Sequence, residues 1–110
     1  MEYQTIILMI WFHFVSDFGF QNDWIALNKS ENIYVLILHS LLYSILFFYF
    51  GWIFAILNGI LHFMIDYGSS KLTKYYYVKE NRRMFFLIIG FDQAIHMTIL
   101  FMTYCGLKGI

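Results

Sequence analysis

The chain has 110 residues, of which 61% are hydrophobic and 13% charged, and its formal net charge is zero. A soluble domain of this length cannot bury so much apolar surface, which excludes an ordinary soluble globular protein. The basic residues are few and lie between the apolar runs, which excludes a nucleic-acid-binding surface. The single cysteine, Cys105, cannot form an internal disulfide. The composition therefore predicts a small integral membrane protein whose first partner is the lipid bilayer.

Four apolar runs account for this composition, and each is about long enough to cross a hydrocarbon core of about 30 Å. The first run is not a signal peptide, because Glu2 replaces the basic start and Asp17 interrupts the apolar centre. The stretch 33–67 is too long for one span, so we divide it at Gly51. Lipid offers no hydrogen bonds to the backbone, so every span should be a helix. The predicted fold is all-α: one domain, a four-helix transmembrane bundle of two antiparallel helical hairpins, with spans at about 3–20, 33–50, 52–67 and 84–105.

The distribution of charge predicts the orientation of these spans. The segment 68–83 is the most basic part of the chain and contains Lys71, Lys74, Lys79, Arg82 and Arg83 against Glu80 alone. By the positive-inside rule this segment is a cytoplasmic loop. The first loop is then also cytoplasmic, and the Gly51 turn and both termini lie outside.

Polar residues recur at four-residue intervals within the apolar runs. Asn58, His62 and Asp66 form one such stripe on a helix face. His13 and Asp17, with Gln21 one turn further, form a second stripe, whereas Asp92 and His96 repeat the pair in reverse order. Every histidine and three of the four aspartates therefore lie inside predicted spans, since His39 is about two turns into the second span.

The order of histidine and aspartate predicts that these groups share one depth in the membrane. Spans one and three run toward the cytoplasm, and in both of them the histidine precedes the aspartate. Span four runs the other way, and there Asp92 precedes His96. A reversed order on a reversed helix gives the same order in depth. We therefore expect one polar layer in the cytoplasmic half, with the aspartates nearer the water.

The chemistry of these residues indicates a metal site. An ionisable group inside a span costs at least a few kcal/mol unless it is paired or hydrated, so these groups should face one another. Imidazole and carboxylate are common ligands of zinc, manganese and iron, and facing helices of a bundle can project them inward. The candidate ligands, enough for two ions, are His13, Asp17, His39, His62, Asp66, Asp92 and His96, and the three aspartates are also the candidate catalytic bases.

Other interpretations of the polar layer remain open. A network of hydrogen bonds can hold the helices together, although such bonds average only about 0.6 kcal/mol each in membranes. Chains of histidine and aspartate also conduct protons or ions. Asn58, Gln21 and Gln93 are either donors to the site or contacts between helices, and Tyr43, one turn after His39, is either a packing residue or a donor.

Several strings of residues are shared with a known family. They are Asp17-Phe18, Gln21-Asn22-Asp23-Trp24, Asn28-Lys29-Ser30, His39, Asn58-Gly59-Ile60-Leu61-His62-Phe63, Asp66-Tyr67 and Gly90-Phe91-Asp92-Gln93-Ala94-Ile95-His96. On these residues the chain resembles the domain-of-unknown-function 3307 family of small bacterial and phage integral membrane proteins. The resemblance implies an integral membrane protein, often phage-borne, and brings no established activity. A fainter similarity of pattern leads to predicted membrane-bound metal-dependent hydrolases.

Together these observations lead to one functional hypothesis and two rivals. The hypothesis is a membrane metal-dependent hydrolase, in which one or two divalent ions activate water against a phosphate- or lipid-like substrate at the interface. The first rival is a carrier or channel for protons or ions. The second is a non-enzymatic phage membrane factor that acts through a host partner. Four short helices enclose little volume, so a homo-oligomer is a further expectation.

Overall fold

The computed structural model describes residues 2–19 and 23–107, and nearly all of them are helical. The helices are α1 (Tyr3–Phe14), α2 (Asp23–Asn28), α3 (Ile33–Ile45), α4 (Trp52–Val78) and α5 (Arg82–Leu107). A π-helical turn, Val15–Gly19, extends α1, and a 3-10 helix, Leu46–Phe50, extends α3. The predicted all-α class is confirmed, and the four long helical segments form a bundle in which sequence neighbours run antiparallel.

The turn between α3 and α4 lies at Gly51, as predicted. Gly51 has a φ of 132°, a backbone conformation that residues with a side chain rarely adopt. Further along the same hairpin, Gly59 allows α3 and α4 to approach closely, because a Cβ atom at this position would lie 3.1 Å from Cβ of Ser44. The missing side chain of Gly59 therefore sets the distance between the two helices next to the polar layer.

The predicted cytoplasmic loop 68–83 is wrong as a loop. Helix α4 continues to Val78 and α5 begins at Arg82, so only a short turn separates them. Ser70 and Thr73 do not interrupt α4, since each hydroxyl donates to a carbonyl of the preceding turn, on Asp66 and Ser70 respectively. The basic residues of this segment limit how far an apolar span extends, but they do not end a helix.

The turn after α4 is closed by backbone hydrogen bonds of the Schellman type. The amide of Glu80 donates to the carbonyl of Tyr77 at 3.1 Å, and the amide of Asn81 donates to that of Tyr76 at 3.0 Å. Glu80 occupies the left-handed position, with a φ of 58°. The side chain of Asn81 then accepts from the amide of Met84 at 3.1 Å and caps the start of α5.

The first predicted span differs from a continuous α-helix. Regular α-helix ends at Phe14, and the next five residues form the π-helical turn that carries Asp17. Such turns change the direction in which the following side chains project, and they are frequent at functional sites. Phe20, the predicted end of this span, lies outside the described residues.

Two layers fill the interior of the bundle. Toward the Gly51 turn the core is apolar and is made by Met9, Phe47, Phe54, Ala55 and Leu100. Toward the α4–α5 turn the interior is polar and contains the predicted histidines and aspartates. The outer faces of the long helices are apolar. Within the described ranges, two helical segments, 33–50 and Arg82–Leu107, have the length and the apolar composition needed to cross a membrane.

Candidate metal centre

The predicted convergence of histidine and aspartate side chains is confirmed. His39 on α3, His62 on α4 and His96 on α5 are all buried, as are the carboxylates of Asp17 and Asp66. Asp92 is buried as well. His62 and Asp66 share one face of α4 because they are four residues apart, and Asp92 and His96 share one face of α5 for the same reason. The polar layer is thus built from every long helical segment.

Four of these side chains form the tightest group. Nε2 of His39 lies 3.1 Å from Oδ1 of Asp17 and 3.2 Å from Oδ2 of Asp66. Nε2 of His62 lies 3.3 Å from the same Asp66 oxygen and 3.8 Å from Oδ1 of Asp17. We call Asp17, His39, His62 and Asp66 the ligand quartet.

The spacing of the ligand quartet fits a bound metal ion. Zinc binds histidine nitrogen and carboxylate oxygen at about 2.0–2.1 Å in a tetrahedron, which places neighbouring ligand atoms about 3.3 Å apart. The contacts of the quartet, from 3.1 to 3.8 Å, lie close to that value. Among the described residues, both ring nitrogens of His62 are buried without a hydrogen-bond partner. Buried polar atoms are rarely left in that state, and a metal ion would satisfy one of them.

Asp92 and His96 form a second group beside the quartet. Nδ1 of His96 lies 3.3 Å from Oδ2 of Asp92, and Nε2 of His96 lies 3.9 Å from Oδ1 of Asp66. One carboxylate oxygen of Asp92 accepts a hydrogen bond from Ser69 at 2.6 Å. Together with Asp17, these two residues form a second set of side chains that can hold a metal ion.

Gln93 connects the two groups. Its amide nitrogen donates to Oδ2 of Asp17 at 2.9 Å and to Oδ2 of Asp92 at 3.1 Å. Its amide oxygen accepts from Nε2 of His13 at 2.6 Å. Of the two alternatives for Gln93 in the sequence, the structure therefore shows a donor to the site carboxylates.

His13, a predicted ligand, lies beside the two groups and hydrogen-bonds to residues that contact them. With Nε2 donating to Gln93, Nδ1 is left to accept a hydrogen bond from the hydroxyl of Tyr43 at 2.9 Å. Both ring nitrogens are therefore engaged, and Nε2 remains 3.9 Å from Asp17. Tyr43 also stacks on the ring of His62, with the ring centroids 3.9 Å apart and an angle of 14° between the planes. Tyr43 is thus more than a packing residue.

The model of a protein family described as "Protein of unknown function (DUF3307)" matches residues 5–109. The chain belongs to this family. The comparison with curated proteins and that with solved structures gave no match.

In this member of the DUF3307 family, sequence reasoning missed one charged residue of the site. Lys29, from the turn between α2 and α3, places its ammonium 3.2 Å from Oδ2 of Asp66, the oxygen that His39 and His62 also approach. In the sequence, Lys29 lies in a short polar loop, where its charge gives only weak evidence for the orientation of the spans and none for a contact with Asp66. Ser69, which bonds Asp92, was missed because a serine after a span normally marks the start of a loop.

The remaining predicted polar residues have separate roles. The amide of Asn58 donates to Thr103 at 2.9 Å and to the carbonyl of Phe54 at 3.0 Å, so Asn58 joins α4 to α5 rather than serving the site. Gln21 lies outside the described residues. In this family member the candidate metal ligands are therefore the four residues of the ligand quartet, Asp92 and His96.

Proposed function

We propose that this chain is an integral membrane protein that binds one divalent metal ion in the ligand quartet and uses it to hydrolyse a phosphate- or lipid-like ester at the cytoplasmic surface of the bacterial inner membrane. The single observation that carries the proposal is the buried convergence of Asp17, His39, His62 and Asp66 from three separate helical segments. Zinc, manganese and iron all accept such a ligand set.

The distribution of polarity supports a location in lipid. In the described part of the chain the buried residues are more often polar than apolar, whereas large apolar side chains cover the outside. Each long helix contributes to this apolar surface, with Trp11 on α1, Leu41 on α3, Ile60 on α4 and Phe91 on α5. A soluble monomer rarely exposes so large an apolar surface. Acyl chains would cover it without cost.

The charge of the site supports a single divalent ion. Within the described cluster, three buried carboxylates and the ammonium of Lys29 leave two negative charges when the histidines are neutral. Uncompensated charge inside a bundle is strongly unfavourable. One divalent ion would neutralise this excess. If it bound Nε2 of His39, which otherwise contacts Asp17, the ring would remain neutral with its proton on Nδ1.

The residues around the quartet suit ester hydrolysis. The ion supplies a lowered pKa for a water molecule and a positive charge for the developing oxyanion. His96 directs Nε2 toward the quartet and is backed by Asp92 at 3.3 Å, an arrangement that suits a general base. In this scheme the water oxygen bonds to phosphorus or carbonyl carbon, its proton passes to His96, and the same proton then reaches the leaving oxygen as the ester bond breaks.

The basic residues near the α4–α5 turn indicate which end of the bundle faces the cytoplasm. Lys71, Lys74, Lys79, Arg82 and Arg83 all lie beyond Asp66 on the side of the polar layer. The positive-inside rule then places this end in the cytoplasm, where it faces anionic head groups. We also propose that the chain forms a homo-oligomer in the membrane, and native mass spectrometry of the protein released from detergent tests this.

The test is elemental analysis of protein purified in detergent. The parent should retain one divalent ion per chain, and His62→Ala and Asp66→Asn should lose it, because each removes a ligand atom and leaves the other ligands too few. Glu2→Gln is the matched control, since it removes an exposed carboxylate that precedes α1, lies outside the cluster and forms no capping hydrogen bond. A correctly folded parent that is free of metal would contradict the proposal.

One observation favours a proton pathway as the second candidate. Hydrogen bonds run without interruption from Tyr43 through His13 and Gln93 to Asp17, and from there to His39. Chains of aspartate and histidine relay protons in membrane proteins, and Gln93 would pass a proton by accepting one on its amide oxygen while its amide nitrogen releases one to Asp17. This candidate predicts a pH-driven proton flux in liposomes that Gln93→Leu abolishes, and it requires no bound metal.

A further inference from the structure

We propose that Lys29 and the divalent ion together bind a phosphate group, so that the turn that carries Lys29 forms an anion subsite next to the ligand quartet. The inference rests on the proposed function and adds to it the chemical class of the ligand. The observation behind it is the ion pair between Lys29 and Asp66. Among the described residues, Lys29 is the one lysine or arginine that forms an ion pair with the cluster, and its side chain is 18% exposed.

The turn that carries Lys29 is fixed to α4 at three points. The ammonium of Lys71 donates to the carbonyl of Ser30 at 2.9 Å, and Lys74 pairs with Glu31. Lys29 forms the third contact through Asp66. These contacts hold the ammonium of Lys29 at the solvent-facing edge of the quartet, where a ligand entering from the cytoplasmic side would arrive.

The position of Lys29 relative to the ion creates the subsite. A metal ion on Oδ2 of Asp66 lies about 2 Å from that oxygen. The ammonium of Lys29 lies 3.2 Å from the same oxygen. The two positive charges are then at most about 5 Å apart, and they repel one another unless an anion contacts both. Asp66 provides part of that negative charge, and a ligand oxyanion would provide the rest.

Phosphate fits this arrangement better than a carboxylate. Its oxygens point in several directions and carry up to two charges, so one oxygen can bind the ion while another accepts from the ammonium. Lys71, which donates to the carbonyl of Ser30, adds positive charge beside the same turn. The phosphate can belong to a lipid head group or to a soluble phosphate ester, and the chemistry of recognition is the same for both.

The test uses protein loaded with Mn²⁺ in detergent micelles and follows inorganic phosphate by ³¹P relaxation, which Mn²⁺ enhances at short range. Metal content is measured on every sample. The variants are Lys29→Met and Lys29→Arg, with Lys29→Gln as a substitute where the methionine variant does not fold. Lys79→Met is the matched control, because Lys79 is exposed at the end of α4 and lies over the ring of Tyr75.

We expect Lys29→Met to retain Mn²⁺ and to bind phosphate about tenfold or more weakly, as the loss of a charge-assisted hydrogen bond implies. Lys29→Arg should recover most of the affinity, and Lys79→Met should match the parent. Unchanged phosphate affinity in a metal-loaded Lys29→Met protein overturns this inference alone. A parent that binds no Mn²⁺ overturns the proposed function first.

Competition then identifies the source of the phosphate. Short-chain phosphatidic acid that displaces inorganic phosphate at lower concentration than glycerol 3-phosphate identifies a lipid head group. The reverse order identifies a soluble ester. Failure of both to compete, together with normal binding of inorganic phosphate, overturns the assignment of a phosphate-ester subsite.

Discussion

The ring of Tyr43 lies against that of His62, with centroids 3.9 Å apart and planes inclined by 14°. The tyrosine therefore fixes the plane of a candidate metal ligand by stacking. Its hydroxyl fixes a second histidine, His13, by a hydrogen bond of 2.9 Å. Stacking therefore acts on the ring of His62 and the hydrogen bond on that of His13. A substitution that removes only the hydroxyl of Tyr43 separates the two effects.

Tyr43→Phe should keep the metal and lose about 1 kcal/mol of the free energy of unfolding, because the stack persists while one buried hydrogen bond is removed. The loss of the hydroxyl should also change the ¹⁵N shifts of the His13 ring, since Nδ1 no longer accepts a hydrogen bond. Unfolding in mixed detergent and ¹⁵N spectra provide the two measurements. Tyr104→Phe is the control, as that ring packs edge-on against Phe50 and Phe54. Equal effects of both substitutions would show that the contact with His13 has no special role.

Removal of the metal should lower the melting temperature of the folded protein. An ion at about 100 times its dissociation constant stabilises the folded state by about 2.7 kcal/mol, and a chelator removes that contribution. Thermal melts followed by circular dichroism, with and without a chelator, measure the difference. His62→Ala should melt at the same temperature under both conditions. A parent protein indifferent to chelator and to added Zn²⁺ would count against the site.

Gly59→Ala should destabilise the hairpin of α3 and α4, because the new methyl group would lie 3.1 Å from Cβ of Ser44. Combining it with Ser44→Gly removes the opposing atom and should recover part of the loss, which a double-mutant cycle measures. Gly90→Ala is the control, since a Cβ at that position meets nothing within 4 Å. Additive effects of the Gly59 and Ser44 substitutions would contradict a direct contact between these positions.

Glu80→Gly should stabilise the turn between α4 and α5 by about 1 kcal/mol. The left-handed φ of 58° costs a residue with a side chain roughly that amount, and glycine adopts it freely. Glu80→Ala separates the backbone effect from the charge, because alanine keeps the conformational cost. The measurement is the free energy of unfolding of the parent, Glu80→Gly and Glu80→Ala proteins. A glycine variant no more stable than the alanine variant would argue against the backbone effect.

The polar layer could be predicted from the sequence because an ionisable side chain that faces lipid is strongly unfavourable, which leaves few other arrangements. His62 and Asp66 share a helix face by their spacing, and so do Asp92 and His96. In a predicted bundle, such groups must turn toward one another or leave charge in an apolar medium. The convergence therefore follows from energy and helical geometry, without any knowledge of how the helices pack.

Lys29 could not be predicted in the same way. Its contact with Asp66 depends on the path of α2 and on the tether of Ser30 to Lys71, and neither follows from periodicity. A long flexible side chain in a loop can reach many places, and the sequence does not select one of them. The same holds for His13, whose ring nitrogens bond Tyr43 and Gln93 on other helices, because periodicity does not predict either contact.

The end of α4 shows a different limit of sequence reasoning. Hydropathy falls sharply after Tyr67, and we predicted that the helix would end there as well. The backbone instead continues to Val78, where Glu80 and Asn81 close the turn. Hydropathy reports the medium around a segment, whereas the end of a helix is decided by capping groups.

The polar layer draws side chains from every long helical segment, and this has a consequence for biogenesis. Asp92, Gln93 and His96 lie on α5, which is synthesised after α1, α3 and α4, so the carboxylate of Asp17 has no amide donor from Gln93 until α5 has been made. A nascent chain that enters the bilayer helix by helix would present unmatched charges to lipid tails. If the chain lies in a membrane as proposed, α1, α3 and α4 are therefore expected to enter the lipid only after α5 has been synthesised.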